Sequence, residues 1–110
     1  YYHSTKGIYN QLKTTAKRKQ IDFKLNKKLF IRWYNKQIKI CIYCKRLEFQ
    51  VIKDYNGRHN RLTIDRKDNK KGYKLNNITL CCHKCNTIKG DVFTYKEMIK
   101  IGKILKNKRY

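Results

Sequence analysis

The sequence predicts a small α+β domain, and three observations predict it. Leu62-Thr63-Ile64-Asp65 and Asn77-Ile78-Thr79-Leu80 read as short strands, the first by its alternation and β-branching. Stretches with helical periodicity lie before and after them. Two Cys-x-x-Cys pairs, Cys41/Cys44 and Cys82/Cys85, bracket the strands. A chain of 110 residues has room for one compact domain and not comfortably two. A domain this small buries only about two-thirds of its unfolded surface, so a metal staple would help its thin core.

Each element has its own reason. Residues 6–20 form a basic helical stretch with Ile8, Leu12 and Ala16 on one stripe. Ile21, Phe23 and Leu25 alternate with polar residues, as in a short extended segment. Asn26 is a candidate N-cap for a second helix carrying Leu29, Phe30, Trp33 and Tyr34, whose aromatic group is expected to pack in the core. Cys41-Ile42-Tyr43-Cys44 forms a tight knuckle, residues 47–53 are expected to be a strand, and 54–58 a turn. After the first strand, 68–72 is a loop. The second strand runs into Cys82-His83-Lys84-Cys85, which opens a helix through Lys89. Thr94 and Glu97 make a capping box for a last helix with Met98, Ile99, Ile101, Ile104 and Leu105 on its apolar face, followed by a fraying tail. This divides the chain into a basic helical extension (1–40), a core (41–92), and a C-terminal helix with a basic tail (93–110).

The cysteine spacing points to metal. Thiolates two residues apart take one side of a tetrahedron, and two such pairs complete the four soft ligands that Zn²⁺ prefers. Cys41, Cys44, Cys82 and Cys85 are the expected ligands, with 37 residues between the pairs. The odd count of five cysteines argues against a disulfide framework. Cys81 reads as a small buried strand residue; the rival reading makes it, rather than Cys82, the ligand. A closed four-cysteine site leaves no open position, so this zinc is structural.

Charge indicates the partner. Lys and Arg number 29 against 7 Asp and Glu, a formal net charge of +22. Such a field attracts polyanions, and nucleic acid is the expected partner. An anionic membrane surface is the weaker rival, because the basic residues are spread along the chain rather than set on one amphipathic helix. No apolar run approaches the ~18 residues of a membrane helix, and no signal peptide is visible, so an intracellular, non-secreted protein is expected. The first residue is Tyr1 rather than Met, as in a fragment of a longer chain.

The residues between the knuckles resemble a known family. Cys41-x-x-Cys44, Leu62-Thr63-Ile64-Asp65-Arg66, Asn69-x-x-Gly72-Tyr73, Asn76-Asn77-Ile78-x-Leu80 and Cys82-x-x-Cys85-Asn86-x-x-Lys89 follow one another in the order of the HNH endonuclease superfamily. The resemblance is to its zinc-knuckle ββα-metal branch, common in phages and mobile elements, and covers about residues 41–92. It implies a zinc-stabilised, treble-clef-like ββα-metal core and a nuclease that hydrolyses phosphodiesters, in DNA more than in RNA. It implies that Asp65 and Asn86 hold a catalytic Mg²⁺ or Mn²⁺ and that Asn77 fixes the loop between the strands. Carboxylate and amide oxygens are hard ligands suited to such an ion, which neutralises charge on the scissile phosphate.

The sequence departs from the family at one position. The general-base histidine is replaced by Arg66, which cannot accept a proton at pH 7 but can clamp a phosphate and stabilise charge. Another base is then needed. His59 is the first candidate, His83 and Tyr73 are others, and a metal-activated hydroxide without a protein base is a further route. Asp91 is near enough in sequence to support the ion site. Arg58, Arg61, Lys67, Lys70 and Lys89 are the expected nucleic-acid contacts. The alternative is a catalytically inactive module of the same fold that binds nucleic acid, including RNA in a ribonucleoprotein.

Overall fold

A computed structural model of the chain describes residues 5–54 and 61–108. Of the turn expected at 54–58, residue 54 is instead the end of a helix, and 55–58 lie outside the described residues, as does His59. Among those described, five α-helices surround a two-stranded antiparallel sheet.

Helix α1 (Thr5–Arg18) buries Ile8, Tyr9 and Ala16 and half-buries Leu12, as its stripe predicts. It ends where Gln20 turns left-handed (φ 59°) and the Ile21 N–H donates to the Ala16 carbonyl at 2.8 Å. The segment 21–25 then runs extended and docks on the loop after the first strand. Phe23 bridges Tyr73, and the Tyr73 N–H donates to the Asp22 carbonyl at 2.8 Å. Gly72 allows this approach, because any Cβ there would overlap Asp22. Helix α2 (Lys27–Lys36) starts at Asn26, whose side chain accepts from the Leu29 N–H at 3.1 Å. Tyr9, Phe23, Phe30, Trp33 and Tyr34 pack with successive ring centroids 5.5–6.4 Å apart, so the aromatic group is core.

One element differs from expectation. Of residues 47–53, expected as a strand, all but Leu47 belong to helix α3 (Glu48–Asp54). Leu47, Phe49 and Val51 have the spacing of a strand, yet Val51 is buried and Phe49 is 66% exposed. Only Leu47 pairs, as a single bridge to Ile40 that closes the first knuckle. The Gln50 side chain then accepts from the Leu47 N–H at 2.9 Å and opens the helix.

Strands β1 (Thr63–Arg66) and β2 (Ile78–Cys81) each begin one residue later than expected. Asp65 pairs with Thr79, and Arg66 with Ile78. Between them Asn77, at the end of a 3-10 turn (Leu75–Asn77), pins the loop. Its side-chain oxygen accepts from the Asp68 N–H at 2.9 Å, and its nitrogen donates to the Asp68 and Gly72 carbonyls at 3.1 and 3.0 Å.

Helix α4 (His83–Lys89) follows β2 with Cys82 as its N-cap. Helix α5 (Tyr95–Lys106) starts at the Thr94–Glu97 capping box, formed as expected. It crosses the first knuckle at Gly102, where any Cβ would overlap the Tyr43 carbonyl. Met98 is fully buried, but Ile104, expected on the apolar face, is 61% exposed. The close crossing at Gly102 sets which side of α5 faces inward. No helix among the described residues is long and apolar enough to cross a membrane.

Candidate functional site

The two knuckles come together. The Sγ atoms of Cys41, Cys44, Cys82 and Cys85 all lie within 4.8 Å of one another, and all four residues are buried. Each knuckle points an N–H at its own first sulfur: Cys44 N–H to Cys41 Sγ at 3.5 Å, and Cys85 N–H to Cys82 Sγ at 3.4 Å. The Cys44 and Cys82 sulfurs lie 3.8 Å apart, within reach of a thiol hydrogen bond. Hydrogen bonding from Cys41 and the other two thiols pulls Cys44 far below its ordinary value, while hydrogen bonding to Cys41 holds Cys82 and Cys85 far above theirs. Four converging soft donors are a zinc-binding arrangement, and the cation would take the place of the thiol protons.

Cys81 points away from this cluster. Its sulfur lies 3.5 Å from the Thr63 hydroxyl, and burial pushes its thiol well up. It behaves as a small strand residue.

Asp65 is 6% exposed on β1. One carboxylate oxygen accepts from the Tyr43 hydroxyl; the other lies 3.4 Å from the Lys89 ammonium. Tyr43 sits inside the first knuckle, so the acid is tied directly to the cysteine centre. Burial first, and then the bond to Asp65, push the Tyr43 hydroxyl well above the ordinary tyrosine range.

Lys89, expected to meet a phosphate, is fully buried instead. Its ammonium donates to the Arg66 carbonyl at 2.7 Å and the Asn69 side-chain oxygen at 3.0 Å, besides facing Asp65. The cause is the packing of α4 against β1, which aims the last turn of α4 at the strand's end. A buried ammonium with three acceptors is an internal clamp.

Arg66 also faces its own loop. Its Nη1 donates to the Asn69 and Lys71 carbonyls at 2.9 and 3.1 Å, and its guanidinium lies over the Tyr73 ring at 5.6 Å. Burial raises the Tyr73 hydroxyl above its ordinary value, which leaves it further from service as a base near neutral pH.

Asn86 is half-buried on α4 and opens onto a different space, a cavity of about 230 Å³ shared with Gln11, Thr15, Arg61, Ile64 and Tyr73. Among the described residues no hydrogen bond joins Asp65 to Asn86. Arg61 donates to the Gln11 side chain at 2.7 Å across this cavity. Lys67 is half-buried, and Lys70 is exposed on the loop.

The donor types at Asp65 and Asn86 suit a hard divalent cation. Each Asp65 oxygen already has one partner, so such an ion would share the carboxylate with the Tyr43 hydroxyl and the Lys89 ammonium. The sequence carried no signal for Tyr43 as the partner of Asp65, since a knuckle's intervening residues follow no rule about which points inward. Asn69, which joins Lys89 to the loop and donates to the Gly90 carbonyl at 2.8 Å, was legible only as a motif residue.

No family model matches the chain, and no curated protein matches it. Among solved structures the chain is similar to the rare-cutting HNH restriction endonuclease PacI, whose structure is described for its mechanism of DNA perturbation. The TM-score is 0.85 at 26% sequence identity, over 96% of this chain and 82% of that one.

Proposed function

We propose that this chain, which carries the zinc-binding fold of the HNH superfamily, is a metal-dependent endonuclease hydrolysing phosphodiester bonds in DNA. The observation that carries the reading is the likeness to an HNH restriction endonuclease over nearly the whole chain. Residues 41–92 are the cutting unit, and the flanks 1–40 and 93–110 widen its basic surface. The zinc on Cys41, Cys44, Cys82 and Cys85 is structural. Asp65 and Asn86, which face different spaces, would close on Mg²⁺ or Mn²⁺, and that ion would offset charge on the scissile phosphate. Arg66 braces that phosphate as a permanent cation, and His59 receives the proton of the attacking water. Arg58, Arg61, Lys67 and Lys70 contact the DNA backbone, and the net charge of +22 steers the encounter.

Plasmid cutting with Mg²⁺ or Mn²⁺, measured for the native chain, Asp65→Ala and Asn86→Ala, tests the reading. Metal-dependent nicking by the native chain and strong loss in both variants are expected. Equal activity in all three would sink it.

A second reading rests on the hold that Tyr43 and Lys89 have on Asp65 and on Arg66 at the base position. It makes the chain a non-catalytic nucleic-acid-binding module, including one for ribonucleoprotein RNA. Tight, salt-dependent binding with no metal-stimulated cutting would identify it.

A further inference from the structure

A cleft of about 530 Å³ lies between the loop after β1 and the start of α5. Lys67, Asp68, Asn69 and Lys70 form one wall; Phe93, Thr94, Tyr95 and Lys96 form the other. Its size is that of an ordinary ligand pocket. Both walls are fixed. Asn77 and the Asn69–Gly90 bond hold the loop, and the capping box holds the helix start. Tyr95 is backed by an edge contact to Tyr43 at 5.9 Å, so its ring does not swing freely.

The chemistry of the cleft is aromatic and cationic. Phe93 and Tyr95 are half-buried, and the Lys67 ammonium lies over the Tyr95 ring at 5.4 Å. A cation over a ring marks a face that a π-system can also cover. The four-carbon stem of Lys67 lets the ammonium move out to a neighbouring phosphate. Lys70 and Lys96 are exposed at the rim, so three lysines face one acid, Asp68.

Several polar atoms are already engaged. Asn69 uses its nitrogen on Gly90 and its oxygen on Lys89, Thr94 accepts from the Glu97 N–H, and Asp68 accepts from the Lys70 N–H. Both polar atoms of the Asn69 amide, a group suited to reading a base edge, are thus taken.

We infer that this cleft takes an unstacked nucleobase of a DNA strand, stacked on Tyr95 and Phe93 without base preference, with the flanking phosphates on Lys67, Lys70 and Lys96. The inference rests on the reading that the chain binds DNA. It goes beyond the cutting site, because Phe93, Tyr95 and Lys96 have no part in that chemistry.

The test is fluorescence anisotropy with labelled single strands of thymidylate or adenylate, beside a labelled duplex. The variants are Tyr95→Leu, Tyr95→Phe and Lys70→Ala/Lys96→Ala, with helical content and zinc stoichiometry checked for each. Tyr95→Leu should weaken single-strand binding roughly tenfold, more than it weakens duplex binding, and Tyr95→Phe should restore it. The lysine pair should lower the salt slope by about 0.7 per lost contact. Unchanged single-strand binding in a folded Tyr95→Leu chain, while the native chain still binds or cuts duplex, overturns the cleft alone. A strong preference between the two homopolymers also overturns it as stated. A native chain that binds neither single strand nor duplex refutes the nuclease reading and the cleft with it.

Discussion

The cysteine centre and the Asp65 carboxylate are neighbours joined through one tyrosine, yet they are built in different ways. The cysteines need only two local knuckles and one closure of the chain to bring four sulfurs within 4.8 Å. Every ligand type is fixed by residue identity, and a metal with tetrahedral demands does the rest. Asp65 has no such local rule. Its surroundings come from two distant elements, the first knuckle with Tyr43 and α4 with Lys89, and from the loop just after β1 that Asn69 closes. The first centre depends on sequence spacing, and the second on how α4 and α5 sit against the hairpin.

Removing the metal should separate the two most sharply. Chelation, or Cys82→Ser, is expected to abolish cooperative unfolding, because structural zinc contributes about 10–16 kcal/mol in small domains. Thermal denaturation followed by circular dichroism checks it. Retained tertiary structure after complete zinc loss would mean that the aromatic core around Phe30 holds the fold by itself.

Lys89→Met probes the second centre. It leaves Asp65 buried with only the Tyr43 hydroxyl, and a buried pair broken in this way loses about 3–5 kcal/mol. The unfolding free energy from denaturant titration should fall by that amount while the salt slope of DNA binding stays put. A slope lowered by about one, with stability intact, would show Lys89 to be a phosphate contact after all.

The smallest expected effect is at high pH. Burial raises the hydroxyls of Tyr34, Tyr43 and Tyr73 above the reference of 10.0. The folded state therefore keeps these protons longer than the unfolded chain does. Their contribution is fully present below pH 10 and is lost as pH rises beyond it. Urea midpoints measured from pH 8 upward should decline past pH 10, and Tyr43→Phe should make the decline shallower. An equal decline in the variant would assign the effect to the other tyrosines.

Much of the fold was legible because it is local. Asn26, the Thr94–Glu97 box and the stripe of α1 each act within one or two turns of chain, so residue identity was enough. The strands were off by one residue, because pairing register is set by partners rather than by the segment itself. Residues 47–53 carry the alternation of a strand at Leu47, Phe49 and Val51, but Leu47 and Val51 also have helical spacing, and so short a run does not decide between them. The bridge at Leu47 and the Gln50 contact decided it.

The same division holds for the chemistry. By itself the sequence determined the four zinc ligands, the loop-fixing Asn77, the basic charge and the order of motifs that resembles the HNH superfamily. These follow from residue types at fixed spacing. Only the tertiary structure decided that Lys89 points inward, that Asp65 is held by Tyr43, that Asn86 opens onto a separate cavity, and that Phe93 and Tyr95 face Lys67 and Lys70 across a cleft. The reason is geometric: a side chain's partner depends on how its helix packs on its neighbours, and residues such as Gly102, which lets α5 approach the first knuckle, carry no chemistry of their own to announce it.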